Sequence, residues 1–205
     1  MEVTSFDDQP DGATPLTAED AEDLKPSWIT TQGELNQAEA ENILRGRLWV
    51  SRTRRPAFWY LRDSGLQDLH RRLLGDVWTW AGTLRQRETN IGIDPHQIPI
   101  ALRNLCDDTL AQIGDGNYLA YPTDELAIRF HHRLVLIHPF RNGSGRHARM
   151  ATDLLLTDLH VEPFTWGGEE LTNPTNLRAD YLTALRQADS TSDFTALLEF
   201  ARRTN

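Results

Sequence analysis

The sequence predicts an all-α fold, and three observations carry that expectation. Leu66, Leu69, Leu73 and Val77 recur at spacings of three and four, as do Leu126, Phe130, Leu134 and Ile137, and again Met150, Ala151, Leu154, Leu155 and Leu159. That period puts each set on one face of a helix. Helix start signals accompany the pattern: Thr31-Gln32-Gly33-Glu34 reads as a capping box, and Pro99 suits a first turn. Alternation of the strand type is confined to one short stretch between Gly82 and Pro99. Seven to nine helices and one short β-hairpin are therefore expected in a chain of 205 residues, enough for one well-buried domain.

Charge divides the chain. The formal net charge is -9, yet the first 24 residues hold eight acids and no base, which leaves -1 for the rest. With Pro10, Gly12 and Pro15 and no apolar period, residues 1–24 read as an acidic mobile tail ahead of a domain over 25–205. A nearly neutral body without a basic stripe argues against nucleic acid or an anionic membrane as partner. The single cysteine, Cys106, allows no internal disulfide and fits a reducing compartment. The start shows no charged-then-apolar leader, and no apolar run approaches the ~20 residues that span a bilayer. A cytoplasmic protein is the expectation, with a homodimer left open.

Along the chain, a first helix runs from Thr31 to about Leu48. Arg52, Arg54 and Arg55 before Pro56 read as a solvated bend. The next helix carries Leu66 to Val77 and ends through Trp78-Thr79-Trp80-Ala81-Gly82, with Gly82 as its stop and the two tryptophans in the core. Thr83, Thr89, Ile91 and Ile93 around a polar middle suggest the hairpin. A helix opened by Pro99 turns Leu102, Leu105, Cys106 and Ile113 inward and closes at Gly114-Asp115-Gly116. Thr123 is placed to cap the next helix. His131 and His132 have no ligand set around them and read as packing or surface residues. Asn173-Pro174 read as cap and first turn of a helix holding Leu177, Tyr181, Ala184, Leu185 and Ala188, and Ser192 as the cap of a last helix to about Arg203.

One stretch carries chemistry: His138-Pro139-Phe140-Arg141-Asn142-Gly143-Ser144-Gly145-Arg146-His147-Ala148-Arg149, set between two helices. The first turn of a helix leaves amide groups unpaired at the positive end of its dipole, and glycines let a phosphate approach the backbone. Arg146 and Arg149, three apart, share one face and offer guanidinium forks to phosphate oxygens. Gly143, Ser144, Gly145, Arg146 and Arg149 thus form a candidate phosphate cradle. His138, at the other lip, can take a proton near neutral pH and is the candidate base. Gly143-x-Gly145-x-x-Ala148 also fits a dinucleotide fingerprint, but that motif follows a strand, and here a helix precedes.

The stretch resembles the signature of the Fic family, His-Pro-Phe-x-(Asp/Glu)-Gly-Asn-Gly-Arg-x-x-Arg, and is similar to the branch called mobile mystery protein B. The upstream run from Leu69-His70 through Gly75-Asp76-Val77-Trp78 to Ala81-Gly82 and Arg85 looks like the core of the same family. The resemblance covers roughly residues 30 to 200. It implies a helical core with a flap at about 83–98 that receives a protein target, and transfer of AMP from ATP to a Ser, Thr or Tyr hydroxyl with His138 as base. It also implies a magnesium ion, at the position held here by Asn142. An amide oxygen is a weaker ligand than a carboxylate for that hard cation. Ser144 replaces the family's asparagine. An aromatic and a polar residue in the nucleotide-base pocket map onto Tyr181 and Asp189, although core packing alone suits Tyr181.

Gln37-Ala38-Glu39-Ala40-Glu41-Asn42 resembles the family's inhibitory motif, (Ser/Thr)-x-x-x-Glu-(Gly/Asn). Carried over, it pairs Glu41 with Arg149 and makes Glu41 and Asn42 regulatory, with Glu39 on a different face. Two other readings stay open: a phosphotransferase or other nucleotide-transfer variant, and a nucleotide-binding regulatory module without transfer.

Overall fold

A computed structural model describes residues 21–62, 64–114, 119–168 and 176–203. Among the described residues lie the seven helices α1 Gln32–Arg52, α2 Gly65–Leu74, α3 Ile98–Ile113, α4 Thr123–Ile137, α5 Ser144–Asp158, α6 Asn176–Thr191 and α7 Thr195–Arg202. Among the described residues there is no strand, only an isolated antiparallel bridge between Leu24 and Trp78. No described helix is long and apolar enough to cross a membrane.

The capping box of α1 forms as written: Thr31 Oγ1 accepts from Glu34 N at 3.2 Å, and Glu34 Oε2 accepts from Thr31 N at 3.0 Å. The helix continues past Leu48 to Arg52 because Trp49 is packed. The Arg55 guanidinium lies 4.2 Å from the Trp49 ring and 4.7 Å from Trp59, and Arg72 lies 4.3 Å from Trp49. The arginine bend is solvated as expected, with Arg52, Arg54 and Arg55 all exposed, and Arg55 also stacks on the two tryptophans. At Gly46, α1 approaches α2 so closely that a Cβ would sit 2.8 Å from the Arg72 carbonyl.

The second helix stops at Leu74, well short of Gly82. Gly75 N closes it on Arg71 O at 2.8 Å, and Asp76 N is taken by Asn42 Oδ1 at 2.8 Å instead of a helical carbonyl. Val77 N and Trp78 N both return to Leu74 O, so the chain leaves the helix in turns. These lead to the stacked rings of Trp78 and Trp80, 5.0 Å apart. Gly82, at φ +84°, then reverses direction.

No hairpin follows. Arg85, 2% exposed, supplies from one guanidinium the bonds a ladder would have supplied: Nη1 donates to Arg87 O at 2.9 Å, Nη2 to Ile93 O at 2.5 Å and Nε to His138 O at 2.6 Å. The two arms of the flap meet through that side chain, not through each other.

Helices α4 and α5 form the centre, with Leu126, Ala127, Ile128, Leu134, Ala148, Ala151, Leu155 and Leu156 fully buried. Cys106, the single cysteine, is buried on α3. Thr123 begins α4 without a side-chain cap bond, so the start rests on Pro122 and on Asp124 and Glu125 in the first turn. Ser192 lies in the link to α7 at φ +57°, and Asp193 Oδ1 accepts from Thr195 N at 2.9 Å in its place. Asn173-Pro174 and residues 1–20 lie outside the described residues. The last four residues of the acidic segment are held on the body: Asp23 binds Thr79 Oγ1 at 2.5 Å and Arg141 Nη1 at 2.8 Å.

Leu69, fully buried on α2, tests this packing. Leu69→Ala should cost about 3 kcal/mol, seen as a lower urea midpoint at unchanged slope.

Candidate active site

Six residues, 138–143, join α4 to α5 and are bounded by two left-handed residues, His138 at φ 48° and Gly143 at φ 75°. A side chain at His138's conformation costs on the order of 1–2 kcal/mol, so neighbours must impose it. They do: His138 N donates to Leu134 O at 3.2 Å, its carbonyl accepts from Arg85 Nε, and Arg85 N donates to Pro139 O at 2.9 Å. The His138 ring is 6% exposed. Burial, and then the nearby Arg85 charge, push its pKa down to about 4. At neutral pH it is an uncharged imidazole able to accept a proton.

Phe140 anchors the loop, fully buried and stacked on His70 with ring centroids 3.7 Å apart. Ser144 is turned inward too, and this corrects its place in the cradle. Its Oγ accepts from Phe140 N and donates to Phe140 O, both at 3.3 Å, so the hydroxyl braces the loop and only the backbone amide is left to meet a ligand. Gly143 is likewise structural: its N–H donates to Asn142 Oδ1 at 2.5 Å, and a Cβ would lie 2.3 Å from Leu74 Cδ1. At Gly145 a Cβ would meet nothing within 4 Å. The open face is therefore the first turn of α5, where the amides of Ser144, Gly145 and Arg146 precede the first helical bond, His147 N to Gly143 O at 2.9 Å. Such a turn can receive an oxyanion.

The two arginines differ. Arg146 Nη1 lies 2.6 Å from Glu39 Oε2, and the other oxygen of Glu39, itself 4% exposed, accepts from Trp78 Nε1 at 2.8 Å. Arg149 sits beside Tyr181, its guanidinium carbon 5.9 Å from the ring centroid. Burial lowers the pKa of Arg149, opposed by Tyr181 and Asp153 and reinforced by the like charges of Arg146 and Arg178.

The expected pair of Glu41 with Arg149 does not form. Glu41 faces outward, bonded to Gln37 Nε2 at 3.1 Å and 4.0 Å from Arg45. Two residues along a helix is a rotation of about 200°, so Glu39 and Glu41 cannot share a face. The buried positions of α1 are Leu35, Ala38, Glu39, Asn42 and Gly46, a stripe of helical period that contains Glu39 and omits Glu41. That stripe was readable in the sequence. Asn42 is structural, tying α1 to the end of α2 through Asp76 and the Arg72 carbonyl.

Tyr181 and Asp189 do not form one pocket. They are eight residues apart, about 12 Å along α6. Each is spent on a different histidine: Tyr181 OH on His131 Nε2 at 2.9 Å, Asp189 Oδ1 on His132 Nε2 at 2.7 Å. Burial holds His131 neutral, with a pKa of about 3, so its ring accepts the Tyr181 hydroxyl. The residues at the loop do not fit a magnesium ion. Asn142 has its side-chain oxygen on Gly143, Glu39 is paired with Arg146, and among the described residues no three His, Cys, Asp or Glu side chains converge.

Fold and site together define an all-helical domain that presents a neutral histidine and two arginines around the open first turn of a buried helix. Residues 60–156 match the sequence profile of the Fic/DOC family. It is 28% identical over 127 residues to protein adenylyltransferase fic-1 of Caenorhabditis elegans, a match covering 60% of this chain and 23% of the relative. The chain thus spans about a quarter of that relative's length. Among solved structures, the Fic domain of a Bartonella effector from Bartonella sp. AR 15-3 superposes with a TM-score of 0.69 at 15% identity, over 91% of this chain and 92% of that one. BepC of Bartonella tribocorum, solved with bound AMPPNP, superposes at 0.64 and 18% identity over 85% and 87% of the two chains.

The two glycines should respond oppositely to alanine. Gly143→Ala, forced to positive φ against Leu74, should lower the melting temperature by an amount equivalent to about 2 kcal/mol or more. Gly145→Ala, in a helix and in open space, should leave it unchanged or raise it by up to about 1 kcal/mol.

Proposed function

We propose that this domain transfers AMP from ATP to a hydroxyl side chain, Ser, Thr or Tyr, of a protein target. The observation that carries the reading is that one six-residue loop, 138–143, has the neutral, buried His138 at its start and the open α5 turn with its two arginines at its end. The similarity to a protein adenylyltransferase and the AMPPNP-bound fold relative support it. The target enters along the exposed flap, whose tip carries Ile91, 41% exposed.

His138 takes the proton of the target hydroxyl, and the oxygen attacks the α-phosphorus. The bond from that phosphorus to the bridging oxygen breaks, and pyrophosphate leaves. Charge growing on the phosphate oxygens is met by the amides of Ser144, Gly145 and Arg146. Arg149 holds the γ-phosphate. The donors at the loop, an Asn142 oxygen turned onto Gly143 and a Glu39 paired with Arg146, do not suit a metal ion.

With ATP labelled at either end, the α-label should stay on the target and the γ-label should not; the reverse pattern would make the domain a phosphotransferase. His138→Ala should abolish transfer while nucleotide affinity stays within about twofold. A base is competent above its pKa, so the acid limb of the rate should fall through about pH 4, not near 6.5.

The pair of Glu39 with Arg146 is autoinhibitory in this reading, because a guanidinium held by a carboxylate cannot also hold a phosphate. Glu39→Gln keeps an acceptor for Trp78 and removes the charge. It should raise transfer by roughly five- to hundredfold, a coupling of ~1 to 3 kcal/mol. Glu41→Gln should change nothing, and equal rates for wild type and Glu39→Gln would end the autoinhibitory reading.

A further inference from the structure

Gly143 leaves a question that its neighbours must answer. A glycine accepts positive and negative φ about equally, so the peptide between Asn142 and Gly143 has no steric preference of its own for the way it faces. Something outside the loop has to set it. The carbonyl of that peptide points at His70 Nε2, 3.0 Å away, while its N–H is bound on the other side by Asn142 Oδ1. The backbone N–H of Gly82 donates to His70 Nδ1 at 2.9 Å. An amide can only donate, so Nδ1 carries no proton and Nε2 carries one, directed at the Asn142 carbonyl.

The ring is fixed as firmly as its tautomer. It is fully buried, stacks on Phe140 at 3.7 Å with planes 21° apart, and meets His147 edge-on at 5.6 Å. A Cβ on Gly143 would be 3.5 Å from Nε2, so the ring also fills the floor beneath the loop. Burial first, with the neighbouring His147, Arg146 and Arg71, holds its pKa well below the ordinary value, which keeps the neutral tautomer.

We propose that His70 is a positioning residue: its Nε2–H fixes the Asn142–Gly143 peptide and so aims the amides of the α5 first turn at the phosphates of the nucleotide. The same ring ties the Gly82 turn to the signature loop, so the turn that carries Trp78, and through it Glu39, keeps register with Arg146. This rests on the nucleotide reading given above. His70 touches neither substrate nor reacting atom; it acts through the peptide plane.

The test compares affinities for ATP and for adenosine, which lacks phosphates, in the full chain. His70→Phe keeps a flat ring on Phe140 and loses both hydrogen bonds. His70→Gln offers an amide oxygen to Gly82 and an amide N–H to Asn142. The ratio of ATP to adenosine affinity should fall about tenfold in His70→Phe and recover to within about threefold of wild type in His70→Gln. A buried histidine with only a packing role would lower the melting temperature and leave that ratio unmoved, which would overturn the proposal. If His70→Phe does not fold, His70→Asn serves, since it reaches Gly82 but not Asn142; an unchanged ratio there overturns the proposal equally. If wild type itself shows no preference for ATP over adenosine, the nucleotide reading fails, an outcome distinct from failure of the positioning role alone.

Discussion

Two buried helices must be joined through six residues, and that constraint shapes the centre of the molecule. Residues of α4 and α5 fill the core, and the first half of the link between them, His138 to Phe140, is buried with them, out of reach of the water that would satisfy its backbone. Its buried polar groups need protein partners. Arg85 meets the His138 carbonyl and supplies an N–H to that of Pro139, Ser144 meets both polar groups of Phe140, His70 meets the carbonyl of Asn142, and Asn142 meets the amide of Gly143. A loop satisfied in this way is stiff. The left-handed turn at His138 is a consequence, since a residue held at both its amide and its carbonyl has little freedom to relax.

Charge is handled by the same economy of partners. A carboxylate as buried as Glu39 is tolerable only when paired and hydrogen-bonded, because an unpaired charge in that place costs several kcal/mol. Arg146 and Trp78 provide for both of its oxygens. The arrangement sets α1 against the signature helix through a bond that a phosphate could replace, since a phosphate is also an anion and also suits a guanidinium fork. A salt bridge that a ligand can outcompete is a switch only if one partner has somewhere else to go. The Arg146 side chain, 21% exposed, has an edge toward solvent, whereas Glu39, at 5%, does not.

What was legible in the sequence follows from range. Helices with sustained apolar period, such as Leu126 to Ile137, and the capping box at Thr31 are local patterns, and both appeared where the residues placed them. The site's histidine and arginines were legible because their spacing is itself the motif. Glu41 was misplaced for an instructive reason. The Glu-Asn pair matched a short pattern, while the inward stripe of α1 selected Glu39, and periodicity carries more physical content than a two-residue match. The hairpin failed because alternation in a short segment cannot show that a distant guanidinium will take its carbonyls. The loop-bracing bonds of His70 and Arg85 were invisible, since their partners lie 72 and 53 positions away, respectively, and no local pattern records such a bond.

Asn142 and Ser144 depart from the Fic signature that the loop resembles. Both residues sit where the family pattern has side chains of other function, and both turn their polar atoms inward, onto Gly143 and Phe140. A carboxylate in place of Asn142 would accept the same amide bond and still carry a charge outward; the amide cannot. The loop therefore keeps its shape while losing the anion that would draw a cation to it. What remains at the first turn of α5 is donor groups: its backbone amides, with the Arg146 guanidinium beside them held by Glu39. The donors are engaged unequally: Glu39 holds Arg146 in an ion pair, while Arg149 lies among Tyr181 and Asp153.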